Sequence, residues 1–345
     1  MKKIVVLVCS LILLSCILTG CDQKAQNKEK PKNIKIGVSV YNQYDTFVSE
    51  LMDEAEAYVE EMEEKYDITI TLDIQNAGGK QVTQNDQMNY FIDRNCDIVC
   101  INLVDRTDAS TIIERGKSAN IPIIFFNREL VEEDLERWDK LYYVGADAFE
   151  SGIIQGQLLI ERLESDFQSV DRNGDGVVQY VMLEGEAGHQ DSIVRSMYAI
   201  KTVTEAGYQV EKLADEIANW NRDQGKTKMT QWMQEFGTSI EVVFANNDDM
   251  ALGAIDALKE AGYFEQKELI PPIVLGIDGT KTGIEAVEKE EMLGTVLNDS
   301  KGQAQGMMEL AYSVVSEEKL SSEFTLLYQK YIRLPYQKVV KDIED

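Results

Sequence analysis

The stretch Asp171-Arg172-Asn173-Gly174-Asp175-Gly176-Val177-Val178-Gln179 carries oxygen donors at alternate positions. The side chains of Asp171, Asn173 and Asp175, the Val177 carbonyl and the Gln179 side chain suit a hard cation such as calcium, and Gly176 permits the sharp turn that wraps them around it. The twelfth position, where an EF-hand places a bidentate glutamate, is Met182. The chain runs on there into an apolar stretch, so the last carboxylate has to come from elsewhere in the fold; otherwise the loop is a solvated acidic turn. A second set of groups follows apolar runs: Asp45 with Phe47, Asn102, His189-Gln190-Asp191, Asn246-Asn247-Asp248, Asp278 and Asn298-Asp299. Carboxylates, amides and one imidazole at strand ends suit a ligand that makes many directional hydrogen bonds.

Each of these residues also has a plainer role open to it. A lone histidine is more often structural than a ligand, Trp220 can be core, and Asp45 and Asp278 can cap helices. The single histidine excludes an HExxH zinc site, a three-histidine zinc centre and a facial triad. No GxGxxG or GxxxxGK[ST] loop follows a strand, which leaves nucleotide phosphates without support. With 34 basic and 61 acidic residues, the formal net charge of −27 argues against nucleic acid and against electrostatic docking on anionic lipid.

Residues 1–20 read as an export signal, with Lys2 and Lys3 ahead of an apolar run too short to span a membrane. Leu18-Thr19-Gly20-Cys21 fits a bacterial lipobox, in which Cys21 receives a diacylglyceryl group and becomes the first residue. Losing Lys2 and Lys3 takes the 34 basic residues to 32 and the net charge from −27 to −29. Residues 21–33 form a polar tether without apolar periodicity. Cys96 and Cys100 flank the start of a strand, about 13 Å apart along an extended chain. That is too far for a disulfide, so both are expected as buried thiols.

Stepping outward from these groups, short β-branched runs alternate with helical patterns. Strands are expected near 34–40, 68–74, 96–104, 121–127 and 141–144, then near 177–183, 208–213, 241–245, 273–277, 293–297 and 331–335. Amphipathic helices fall between them, as in Phe47, Leu51, Ala55 and Val59 at helical spacing. Strand and helix in alternation give parallel sheets. Two series of similar length give an α/β protein of two doubly wound parallel-sheet domains.

At INLVD (101–105), FFNRE (125–129), YYVGAD (142–147), ESGIIQGQL (150–158), DRNGDG (171–176), GEAGHQD (185–191), IEVVFANND (240–248), LGIDG (275–279) and GTVLND (294–299) the chain resembles the periplasmic galactose/glucose-binding proteins, type I sugar receptors of ABC transporters. The resemblance runs from about residue 34 to 345. It implies a three-strand hinge, with an N-terminal domain of 34–128 plus 299–332 and a C-terminal domain of 129–298 plus 333–345. It also implies Glu241 as the missing calcium carboxylate. The implied sugar contacts are Asp45, Asn102, His189, Asp191, Arg195, Asn247, Asp278 and Asn298, with Phe47 and Trp220 sandwiching the pyranose. Ala187 and Gln190 stand where the family has prolines beside the histidine, and Asn42-Gln43-Tyr44 is an unusual spelling before Asp45.

The expected function is therefore an extracytoplasmic, lipid-anchored, monomeric receptor. It would bind galactose or glucose, with methyl-galactoside as a further ligand, carry structural calcium and serve an ABC permease. It would have no catalytic residues. The alternatives are a glycoside hydrolase using paired carboxylates and a sugar sensor for a chemoreceptor or sensor kinase. A repressor of related fold would need a DNA-binding segment where this chain has a signal and tether.

Overall fold

The computed structural model describes residues 30–341; the expected signal, the Cys21 lipidation site and most of the tether lie outside them. Apolar β-branched and aromatic runs become strands with no exposed side, as in β3 (Ile98–Ile101) and β4 (Ile123–Phe126). Such strands need helices on both faces, which is the condition of a parallel α/β sheet.

Two six-stranded sheets result. In the first the order is β11 (Tyr331–Leu334), β5 (Leu141–Ala146), β4, β3, β1 (Asn33–Val40), β2 (Thr69–Asn76), and every pair is parallel. In the second it is β12 (Gln337–Val340), β10 (Gly294–Leu297), β9 (Ile273–Leu275), β8 (Val242–Ala245), β6 (Val177–Glu184), β7 (Gln209–Ile217). Only β12 runs antiparallel to its neighbour. Both sheets reverse their winding beside their first strand, and the crevice at that switch point, beyond the strands' carboxyl ends, is where such sheets hold ligands.

In the first lobe α1 (Thr46–Tyr66) and α10 (Ser300–Ser316) bury Leu51, Met62, Met307 and Met308 on one face of the sheet. On the other face α2 (Gln81–Asp93) and α3 (Ser110–Ala119) bury Met88, Phe91, Ile112 and Ile113, and α4 (Glu132–Leu135) adds Leu135. In the second lobe α5 (Ala148–Val170) and α6 (Gln190–Glu205) cover one face. There α7 (Arg222–Phe236) and α8 (Asp248–Glu260) cover the other, with Trp232 in the core, and α9 (Lys281–Glu288) adds Ala286 and Val287. Cys96 and Cys100 are buried free thiols, and burial pushes the Cys96 thiol up to about 11, away from reactivity.

The chain passes between lobes after β5, after β10 and between β11 and β12. The expected division at 128/129 is corrected by this path: β5 pairs with β4 and β11, so the first lobe continues through Ala146. The last crossing falls after Leu334 rather than at 332/333, and β12, a short polar edge strand, has no counterpart among the expected strands. Several helices begin a turn earlier than their apolar pattern. Most of these first turns are polar, and all are fixed by side-chain caps from Asp147, His189, Asn221, Asn247, Thr280 and Asp299.

Candidate functional site

Between the carboxyl ends of the two sheets lies a tight cavity of about 40 Å³, lined by Tyr41, Asp45, Phe47, Asn127, Arg128, His189, Asp191, Arg195, Trp220, Asn247 and Asp278. All the expected contact residues except Asn102 and Asn298 are in this lining.

In the first lobe, β1 delivers Tyr41 and Asp45. Asp45 caps α1, with Oδ1 accepting from the Val48 amide at 2.9 Å, while Oδ2 accepts from the Tyr41 hydroxyl at 2.5 Å. Capping and ligand binding are thus compatible roles here, since each carboxylate oxygen keeps a free lone pair. Phe47 enters from the first turn of α1. Arg128 follows β4 and lies flat over Tyr41, 3.3 Å from the ring centre.

In the second lobe the charges are tied together by Arg195, which is nearly inaccessible. Its guanidinium donates to the Asn246 carbonyl at 2.7 Å and to Asp278 at 3.4 Å, and reaches Tyr336 at 3.2 Å and Asp191 at 3.5 Å. Burial opposes its charge, but Tyr336, Asp278 and Asp191 hold it protonated. Burial also pushes the Asp278 carboxyl well above its usual range, and Arg195 opposes that shift.

His189 caps α6, its Nδ1 accepting from the Asp191 amide at 3.1 Å. Burial lowers its pKa to about 3 against the opposing pull of Asp191. The imidazole is therefore neutral, with its proton on Nε2 as a donor. Its ring meets Trp220 edge to face at 5.2 Å. Trp220 has a φ of 60° and lies on the bare backbone of Gly185, where a Cβ would come within 2.1 Å of the ring. Asn247 caps α8 through Oδ1 and donates from Nδ2 to the Trp220 carbonyl at 3.2 Å, fixing that loop. Phe47 and Trp220 thus come to one cavity from opposite lobes.

Asn102 and Asn298 are the two expected contacts outside that lining. Asn102 is fully buried, accepts from the Tyr41 amide and donates to the Phe126 carbonyl and to Asn127, so it stands one layer behind the cavity. Asn298 accepts from Gln303 at 2.6 Å. Tyr41, Asn127 and Arg128 line the cavity without having been singled out in the sequence. The rule that sites follow strand ends applies to Asn127 and Arg128, but the apolar run of β4 stops at Phe126, one residue before the expected strand end.

The acidic loop lies at the opposite end of β6. Asp171 accepts from the Gly174, Asp175 and Gly176 amides. Glu241 arrives from the start of β8 and accepts from the Arg172 and Gln179 amides at 2.6 and 2.9 Å. Asn173 and Gln179 both turn an NH₂ group toward Asp175. Among the described residues no three His, Cys, Asp or Glu side chains converge as a metal cluster. The donor set nonetheless fits a hard cation. Its oxygens come from Asp171, Asn173, Asp175, Gln179 and Glu241, and two of its carboxylates are buried beside one another. The loop's own basic residue, Arg172, donates from its guanidinium to the Thr238, Ile240 and Ile270 carbonyls.

Two doubly wound lobes joined by three crossings, with a polar cavity between them, define a two-lobed solute receptor. Residues 36–319 match the periplasmic binding protein domain, and the chain belongs to that family. It is 35% identical over 311 residues to the D-galactose/methyl-galactoside binding periplasmic protein of Haemophilus influenzae, covering 89% of this chain and 90% of that one. It is 29% identical over 309 residues to a xylitol-binding protein of Mycolicibacterium smegmatis, covering 89% and 79%. A Bacillus halodurans ABC-transporter solute-binding protein with bound myo-inositol superposes with a TM-score of 0.72 at 29% identity, over 91% of this chain and 96% of that one. The family consists of solute-binding proteins, so the chain is a receptor and not an enzyme. No helix among the described residues is long and apolar enough to cross a membrane.

Proposed function

We propose that this receptor closes on a hexopyranose of the galactose/glucose class and presents it to an ABC permease from the outer face of the cell membrane, held there by lipid on Cys21. The observation that carries the reading is the cavity itself: Phe47 and Trp220 enter it from opposite lobes, while Asp45, Asp191, Asp278, Arg195 and a neutral His189 supply acceptors and donors around it. A pyranose has apolar C–H faces that pack on aromatic rings and a rim of hydroxyls that donate and accept, and charged partners strengthen those bonds. Similarity to a galactose/methyl-galactoside binding relative supports the sugar class.

Each lobe contributes part of the lining, so the ligand is buried by hinge closure. Calcium, where held, would be bound by Asp171, Asn173, Asp175, the Val177 carbonyl, Gln179 and Glu241, and its charge would brace the turn before β6 against the start of β8. The reading is tested by titrating D-galactose and D-glucose into the mature chain and following tryptophan fluorescence. A saturable change with either sugar supports it; an unchanged signal with both at millimolar concentration refutes it.

A further inference from the structure

We infer that Arg128 and Glu186 are a positioning pair that sets the Asp45 carboxylate for ligand only when the lobes meet. The inference rests on the proposed sugar site and deepens it. Arg128 follows β4 of the first sheet and Glu186 follows β6 of the second, so the bond between them, 3.0 Å from Nη1 to Oε2, crosses the cleft. Arg128 is 5% exposed and stacked on the Tyr41 ring. It also donates to the Val104 carbonyl at 3.2 Å. Tyr41 in turn donates to Asp45 at 2.5 Å, which completes a chain Glu186–Arg128–Tyr41–Asp45 from one lobe to a ligand-facing acceptor of the other.

Geometry makes this chain specific to the closed form. The second lobe supplies the only carboxylate in the chain other than Asp45, and separating the lobes removes it. Among the described residues the other hydrogen bonds across the cavity join a neutral donor to a carboxylate: the Thr46 hydroxyl donates to Asp249 at 2.6 Å, and the Lys281 amide to Glu50 at 3.4 Å. The charged tie is therefore on the Arg128 side. That side also faces a second space of about 450 Å³, bounded by Val104, Asp105, Arg106, Glu186 and Gly188, which shares Arg128 and His189 with the ligand cavity. Arg128 thus stands between the bound ligand and an outer cleft, where its loss opens an exit.

A half-buried ion pair formed on closure, with Arg128 inside and Glu186 about a third exposed, acts on dissociation more than on association. Glu186→Gln, which keeps the shape and removes the charge, is expected to raise the dissociation rate of D-galactose or D-glucose about tenfold with little change in association rate. The unliganded melting temperature should stay as in wild type, because the open form lacks the bond, while the sugar-induced rise in melting temperature shrinks. Tyr41→Phe cuts the link to Asp45 and supplies the discriminating measurement. If the pair acts through Tyr41 and Asp45, Glu186→Gln has a much smaller effect on dissociation in the Tyr41→Phe background than in wild type.

Stopped-flow fluorescence on the four proteins reads both rates. An unchanged dissociation rate in Glu186→Gln, or effects that simply multiply in the double variant, overturns the inference while the receptor reading stands. Absence of sugar binding by the wild-type protein overturns both.

Discussion

The two walls of the cavity are built on different principles. The second lobe holds its ligand-facing charges in a network of its own: Arg195 reaches Asp191, Asp278, Tyr336 and the Asn246 carbonyl without help from the first lobe's cavity residues. The first lobe presents Asp45 through one helix cap and one tyrosine hydroxyl, and its nearest buried cation, Arg128, is paired to the other lobe. A wall whose charges satisfy one another is already shaped when a ligand arrives. A wall whose charge is completed across the cleft is finished by closure. Stability and affinity therefore reside in different places: the second lobe's site residues belong to its fold, and the first lobe's belong to the closed state.

The largest expected effect breaks this contrast at its base. Arg195→Ala strands Asp191 and Asp278 beside one another in a buried setting, and losing one partner of such a network costs about 3–5 kcal/mol. Chemical denaturation should show that loss in the unliganded protein, together with loss of sugar binding. Asp45→Asn is the counterpart in the first lobe. Asparagine still caps a helix, so denaturation should be nearly unchanged while calorimetry shows affinity falling about tenfold or more.

Next in size is the aromatic wall. Trp220→Ala should weaken binding by about 2 kcal/mol, near thirtyfold. Gly185→Ala should do much the same with the tryptophan present, because the added Cβ would lie within 2.1 Å of its ring and push it from the cavity. If Gly185→Ala binds as wild type does, the ring's placement on Gly185 is not what holds it.

A smaller effect concerns protons. His189 has a folded pKa near 3, below the ordinary imidazole value, because burial disfavours its charge. The unfolded chain therefore binds more protons between about pH 3 and pH 6.5, and stability falls as pH drops through that window. Asp248, pushed up to about 7 by burial, has the opposite slope between its ordinary value and 7. The two are separated by comparing wild type with His189→Gln. The variant should lose less stability on acidification from pH 6.5 to 5, and identical slopes would contradict a buried neutral imidazole. The smallest effect is remote from the cavity: chelation should lower the melting temperature of wild type more than that of Glu241→Gln.

The same contrast explains what was legible in the sequence. Buried strands announce themselves as apolar runs, so both sheets were readable, and the groups just beyond their ends pointed to Asp45, His189, Asp191, Asn247 and Asp278. Polar first turns hid the starts of helices, since a capped turn has no apolar period. β5 was assigned to the wrong lobe because lobe membership is set by pairing with β4 and β11, which no local pattern encodes. Asn102 ends a strand, and in the fold its amide bonds to Tyr41, Phe126 and Asn127, partners that no local pattern encodes. Arg128 escaped notice because its importance lies in a partner from the other lobe.

The most direct test of the central claim is calorimetric titration of the mature, calcium-loaded chain with D-galactose, D-glucose, ribose and myo-inositol. Galactose or glucose is expected to bind saturably, one to one, and more tightly than ribose or myo-inositol. No heat with either hexose at millimolar concentration, or tighter binding of ribose or myo-inositol, would contradict it.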